Sequence, residues 1–107
     1  MDRDKDLIKR AGENISSLEI ENVLLSYPGV SDCAVISVPD KLREEAIIAF
    51  ISTNGTNISL EEIRLYCTKE LSNFKIPQEF RFVKEFPRTS IGKIQKNILR
   101  QNYKEEK

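Results

Sequence analysis

The chain has 107 residues, enough for one domain with a single modest core but not for a core that also encloses a deep ligand cleft. Basic and acidic residues balance at 17 each, so no net field draws the chain to nucleic acid or to an anionic membrane, and neither is an expected partner. Histidine is absent, which removes the commonest general base and metal ligand, and no metal-ligand spacing appears.

Leu7–Ser16 contains two short extended pieces around Ala11-Gly12, and Gly12 permits the positive φ of a tight reversal, so a small hairpin is expected. Ser16-Ser17-Leu18-Glu19 has the form of a capping box. Behind it, Ile20, Val23, Leu24 and Tyr27 repeat at helical spacing until Pro28-Gly29 stops the run. Val30–Val38 is rich in β-formers and ends at Pro39-Asp40. It reads as a strand buried on both faces over its second half, and Ala46–Ser52 as another such strand.

After the turn-rich 53–57, Ser59-Leu60-Glu61-Glu62 forms a second capping box. It opens a helix with Leu60, Ile63, Cys67 and Leu71 on one apolar face. Glu79–Phe86 alternates like a strand with one wet face, Pro87–Gly92 reads as a loop, and Lys93–Tyr103 as a final helix. The basic stretch from Lys93 to Lys107 is read as a solvated helix face with a frayed end. The expected fold class is therefore α+β, a small three-stranded sheet flanked by helices with an N-terminal β-hairpin.

Cys33 in its apolar run and Cys67 on its helix face read as small buried hydrophobes in a reducing compartment. No signal peptide is recognised, and no apolar run approaches the roughly 20 residues that span a bilayer. The expectation is a soluble, cytoplasmic protein.

Pattern alone stops at a small α+β domain, and two segments go further. Asp2-Arg3-Asp4-Lys5-Asp6-Leu7-Ile8-Lys9-Arg10-Ala11-Gly12-Glu13-Asn14-Ile15, followed by Glu19-Ile20-Glu21, closely resembles the hinge motif of the acyl-adenylate-forming superfamily. That superfamily comprises acyl-CoA ligases, adenylation domains of peptide synthetases, and luciferases. Pro87-Arg88-Thr89-Ser90-Ile91-Gly92-Lys93-Ile94, with Leu99 and Arg100 after it, looks like the family's C-terminal loop with its adenylation lysine. The resemblance covers essentially the whole chain, 1–107, as the C-terminal lid domain. It begins at the family's domain boundary, so the large N-terminal domain, the expected partner, is absent and the chain reads as an excised piece.

The resemblance implies a role for each matching residue. Lys93 corresponds to the lysine that meets the acyl carboxylate and the α-phosphate while acyl-AMP forms. A positioned ammonium offsets the charge concentrated there, and a compact charge on a flexible stem suits a loop that arrives and leaves. Gly92, Thr89 and Ser90 would supply mobility and polar contacts. Without the flanking motif, Lys93 would read as an ordinary exposed lysine before a helix.

Lys5 corresponds to the hinge, whose rotation swings the small domain between two orientations over the large one. Arg3 corresponds to the arginine that meets the ATP ribose hydroxyls. In the second orientation Lys9 and Gly12 would act on thioester formation, with Glu13 and Asn14 shaping the CoA channel. Asp4, Asp6 and Arg10 fit a solvated hairpin equally well.

Phe74-Lys75-Ile76-Pro77 resembles another family element, in which Lys75 would hold CoA phosphates, with Arg10 or Arg88 as further candidates. Phe74 reads as core rather than as a base-stacking ring. Arg43-Glu44-Glu45 departs from the Gly-Glu of many members.

The implied activity is ATP-dependent acyl-CoA synthesis, with ATP, Mg²⁺ and coenzyme A bound mainly by the absent domain and no turnover from the fragment alone. A carrier-protein thiol as acceptor, and a non-catalytic interaction module that keeps the fold, are the alternatives. The Ile8-Lys9-Arg10, Gly12-Glu13-Asn14 and Glu19-Ile20-Glu21-Asn22 runs look most like crotonobetaine/carnitine-CoA ligases and medium- or long-chain acyl-CoA ligases. The acyl pocket lies outside the chain, so the acid is not read from it.

Overall fold

The computed structural model describes residues 7–10, 13–40, 44–55 and 57–106. Strands β1 (Leu7–Arg10) and β2 (Glu13–Ser16) pair antiparallel from Leu7↔Ser16 to Arg10↔Glu13, which is the expected hairpin. Its Ala11-Gly12 turn lies outside the described residues.

Helix α1 (Ser17–Leu25) follows without a linker, and Ile20 and Leu24 are fully buried as their spacing requires. Ser16 is its N-cap residue, yet its side chain makes no capping bond, so the first expected capping box does not form. Ser16 is also the last residue of β2, in register with Leu7, and the Glu19 carboxylate is drawn away to Lys75. The helix ends as expected. Gly29 takes φ +100°, and Val30 N–H closes the turn onto the Tyr27 carbonyl at 3.2 Å.

Strands β3 (Val30–Asp40) and β4 (Glu44–Thr53) form a long antiparallel ladder with a register shift between Val30 and Asp32. Helix α2 (Leu60–Glu70) crosses over to β5 (Glu79–Phe82), which pairs parallel to β4, so β4 is the central strand. The Ser59 capping box forms in full: Glu62 N–H donates to Ser59 Oγ, and Ser59 N–H to the Glu62 carboxylate. Ile63 and Cys67 are buried, but Leu60, at the first helical position, is exposed.

Strand β5 is shorter than the expected 79–86. After Val83 N–H bonds the Ile51 carbonyl, the chain leaves the ladder and Phe86 packs on the other side of the sheet. Helix α3 (Lys96–Glu106) begins three residues later than expected, because Arg88 and Ile94 pair as an isolated antiparallel bridge that keeps Lys93 and Ile94 extended.

Alternation along β3 and β4 fills two cores. Cys33, Val35, Ile47, Ala49 and Ile51 pack under α1, α2 and the hairpin, together with Ile8, Ile15, Ile20, Leu24 and Ile63. Ala34, Ile36, Val38, Ile48 and Phe50 pack on the opposite face against Phe86 and against Leu99 and Tyr103 of α3. The sheet is therefore covered on both faces, as its continuous apolar runs require. The resulting fold is the expected α+β class.

Candidate functional site

Lys93 sits exposed at the end of a tight reversal between β5 and α3. The turn is closed by hydrogen bonds from Gly92 N–H to the Thr89 carbonyl at 2.9 Å and from Thr89 N–H to the Lys93 carbonyl at 2.8 Å. Thr89 Oγ1 also accepts from Lys93 N–H at 3.2 Å. Thr89 thus holds both backbone groups of Lys93. Gln95 N–H reaches the Pro87 carbonyl at 2.8 Å and seals the base.

Gly92 has φ +89°, and a Cβ there would meet nothing within 4 Å. The glycine is therefore required by backbone conformation rather than by space. Ile91 at the tip is 85% exposed, an apolar side chain held out into solvent beside Lys93.

Two charge pairs flank the lysine, and sequence reasoning identified neither. Arg88 donates to the Asp32 carboxylate on β3 and, through Nη1, to the Gly92 carbonyl at 2.9 Å. Beyond Lys93, Lys96 Nζ lies 2.7 Å from the Glu21 carboxylate, in a pair largely screened from solvent. Each carboxylate is in turn held by a β3 amide, Asp32 by Cys33 N–H at 2.9 Å and Glu21 by Val35 N–H at 2.8 Å. Asp32 and Arg88 are 56 positions apart, and neither belongs to a local pattern that would announce the other.

These residues border an open cleft of about 610 Å³ between α1, β3, the loop and α3, lined by Glu21, Asp32, Cys33, Arg88, Lys93 and Arg100 among others. At its wall the Cys33 thiol is pushed up to about 12, first by burial and then by the Glu21 and Asp32 carboxylates. It stays protonated near neutrality and is no nucleophile. Cys67 is pushed up to about 11 by burial. Both cysteines are free and buried, as their apolar settings suggested.

The hairpin lies apart from the loop. Its Ile8 and Ile15 join the core beneath α1 and α2, whereas Ile94 beside Lys93 packs with the opposite core. Asn14 is exposed and stands in register with Lys9, and Glu13 with Arg10; the side chains of Lys9 and Glu13 lie outside the described set. Arg3, Lys5 and Gly12 lie outside the described residues. Lys75, in the 3-10 turn Asn73–Lys75, places Nζ 3.0 and 3.1 Å from the two Glu19 oxygens. Lys93, the hairpin and Lys75 are therefore not gathered into one pocket.

Among the described residues no group of three or more acidic, cysteine or histidine side chains suits a metal ion. None of the described helices is long and apolar enough to cross a membrane.

Comparison with known proteins fits this geometry. The chain is 42% identical over 100 residues to a crotonobetaine/carnitine-CoA ligase of Proteus mirabilis, covering 92% of this chain and 19% of that protein. It superposes on a Mycobacterium tuberculosis fatty acyl CoA synthetase with a TM-score of 0.86 at 38% identity, covering 92% of this chain and 20% of that one. For ATP-bound MatB from Rhodopseudomonas palustris the TM-score is 0.89 at 35% identity, over 94% of this chain and 20% of that one. The chain thus spans about a fifth of the length of the relatives it matches. Residues 19–93, from the first turn of α1 to the exposed lysine, match the AMP-binding enzyme C-terminal domain, and the chain belongs to that family.

Proposed function

We propose that the chain is the C-terminal lid domain of an ATP-dependent acyl-CoA ligase working in the cytoplasm. The observation that carries this reading is the hydrogen-bonded turn that presents Lys93, at the end of the family match, on an exposed edge of the fold. In the first step a carboxylate oxygen attacks the α-phosphorus of ATP, and the bond to pyrophosphate breaks. The Lys93 ammonium offsets the charge that collects where carboxylate meets phosphate. In the second step the CoA sulfur attacks the acyl carbon, the thiol proton is lost to solvent or a base, and AMP leaves.

The hairpin serves this second step, with Lys9 and Gly12 at the thiol channel and Glu13 and Asn14 on its wall. Because the hairpin packs under α1 and α2 while the lysine loop lies along the β3 edge where α3 begins, the two steps call for different orientations of the domain. Lys5 is the hinge for that swing and Arg3 meets the ATP ribose; both roles rest on the family motif. A CoA phosphate bound at Lys75 would exchange with the Glu19 carboxylate. Mg²⁺ has no ligand set among the described residues and would be held by the nucleotide phosphates and the large domain. CoA is preferred to a carrier-protein thiol because the names of the Proteus mirabilis and Mycobacterium tuberculosis relatives specify CoA. The fragment alone has no turnover in this reading.

In the full-length protein, Lys93→Ala should lower acyl-AMP formation roughly 10²- to 10³-fold while sparing thioester formation from supplied acyl-AMP. Pyrophosphate exchange and single-turnover thioesterification read the two steps separately. Equal loss in both, or in neither, contradicts the assignment.

A further inference from the structure

The geometry points to Arg88 and Asp32 as positioning residues for Lys93, an inference that rests on the role proposed for that lysine. Arg88 spans two acceptors at once, the Asp32 carboxylate and the carbonyl of Gly92, the residue immediately before Lys93. A planar guanidinium can hold both in fixed directions; a lysine ammonium on a flexible stem holds a point. Asp32 is itself immobilised, since its other oxygen accepts from Cys33 N–H, whose side chain is buried in the sheet core. The peptide that leads into Lys93 is therefore referred, through one guanidinium and one carboxylate, to the backbone of β3. The Lys96–Glu21 pair does the same on the far side, through Val35 N–H two residues further along the same strand.

The pair is poorly suited to a purely stabilising role. The Arg88 and Asp32 side chains are 40% and 33% exposed, a setting in which ion pairs contribute little to folding. Its distinguishing product is direction. Thr89 holds the amide side of the turn, and the guanidinium adds a fixed point at the Gly92 carbonyl. Displacing a reacting group by about 1 Å can lower a rate on the order of a hundredfold. Without Arg88 the Gly92–Lys93 peptide would be held through Thr89 alone, and a shift of that size in the ammonium follows from tilting the peptide.

The test uses the full-length protein and measures pyrophosphate exchange, thioester formation from supplied acyl-AMP, and the urea midpoint for Arg88→Gln, Arg88→Lys, Asp32→Asn and the double variant Asp32→Asn/Arg88→Gln, with Lys93→Ala as reference. Arg88→Gln is expected to lower kcat for adenylation about tenfold or more, with KM for ATP changed less than about twofold. Thioester formation and the urea midpoint should be unchanged. Arg88→Lys, which reaches one acceptor at a time, should fall between, and the double variant should lose little more than Arg88→Gln alone.

Equal loss in both half-reactions, or a lower urea midpoint in step with the lost activity, would overturn positioning in favour of a structural role. A raised KM for CoA from Arg88→Gln that Asp32→Asn does not share would make Arg88 a phosphate ligand instead, and overturns the inference equally. If Lys93→Ala abolishes adenylation while both Arg88 variants retain it, the clamp is refuted and the lysine's role stands. If Lys93→Ala itself leaves adenylation intact, the underlying reading fails and takes the clamp with it.

Discussion

Cys33 and Cys67 show how burial alone sets chemistry at the scale of a residue. Both thiols are raised above the ordinary value of 9.0, to about 12 and about 11, chiefly because a thiolate would be stranded in the core. Well below pH 9 the thiols are protonated in folded and unfolded chains alike, and stability is unaffected by them. Above it the unfolded chain loses protons that the folded chain keeps, so stability falls as pH rises toward the folded values. The slope is about 1.4 kcal/mol per pH unit for each thiol.

Urea midpoints of the 107-residue chain should therefore drop between pH 8 and pH 10.5. A Cys67→Ala variant should show a smaller drop, because one of the two thiols is gone. An equal drop in both proteins would assign the effect to the tyrosines and lysines instead. At this scale Lys93 was readable because a run of neighbours surrounds it. Asp32 was not, because its partner is brought to it by the sheet.

At the scale of elements, two serines with the same apparent signature behave differently. Ser59 caps α2 with the full reciprocal pair, whereas Ser16 precedes α1 with no side-chain bond. Ser59→Ala should then cost about 1 kcal/mol and Ser16→Ala only a few tenths, measured by denaturant unfolding of each single variant. The pattern Ser-x-x-Glu describes what the two side chains are able to do locally. Whether they do it depends on competitors, and at α1 the β-ladder holds Ser16 while Lys75 takes Glu19.

The strand and helix ends follow the same logic. Residues 79–86 read as one strand, but β5 ends at Phe82 and Phe86 packs into the second core. Helix propensity after Gly92 is overridden for Lys93 and Ile94 by the bridge to Arg88.

At the scale of the whole molecule, the hairpin and the lysine loop occupy different parts of one sheet with two covered faces. The hairpin belongs to the core under α1 and α2, and the lysine loop to the edge where α3 begins. If these surfaces serve successive steps, Asn14→Ala should be the mirror image of Lys93→Ala. It should lower thioester formation by about tenfold in the full-length protein and leave pyrophosphate exchange unchanged. Slowing of both steps by Asn14→Ala would mean that the two surfaces are not separate.

The sequence by itself determined the helix and strand types, the apolar faces and the inert thiols. All of these are written in spacings of a few residues, and burial periodicity and turn chemistry act over that range. Only the tertiary structure decided that Arg88 meets Asp32, that Lys96 meets Glu21, and that the lysine loop lies along the β3 edge. Those contacts join segments whose separation along the chain carries no periodic signal. They exist because β3 lends its amides to both carboxylates, and β3 is held by a core on each of its faces.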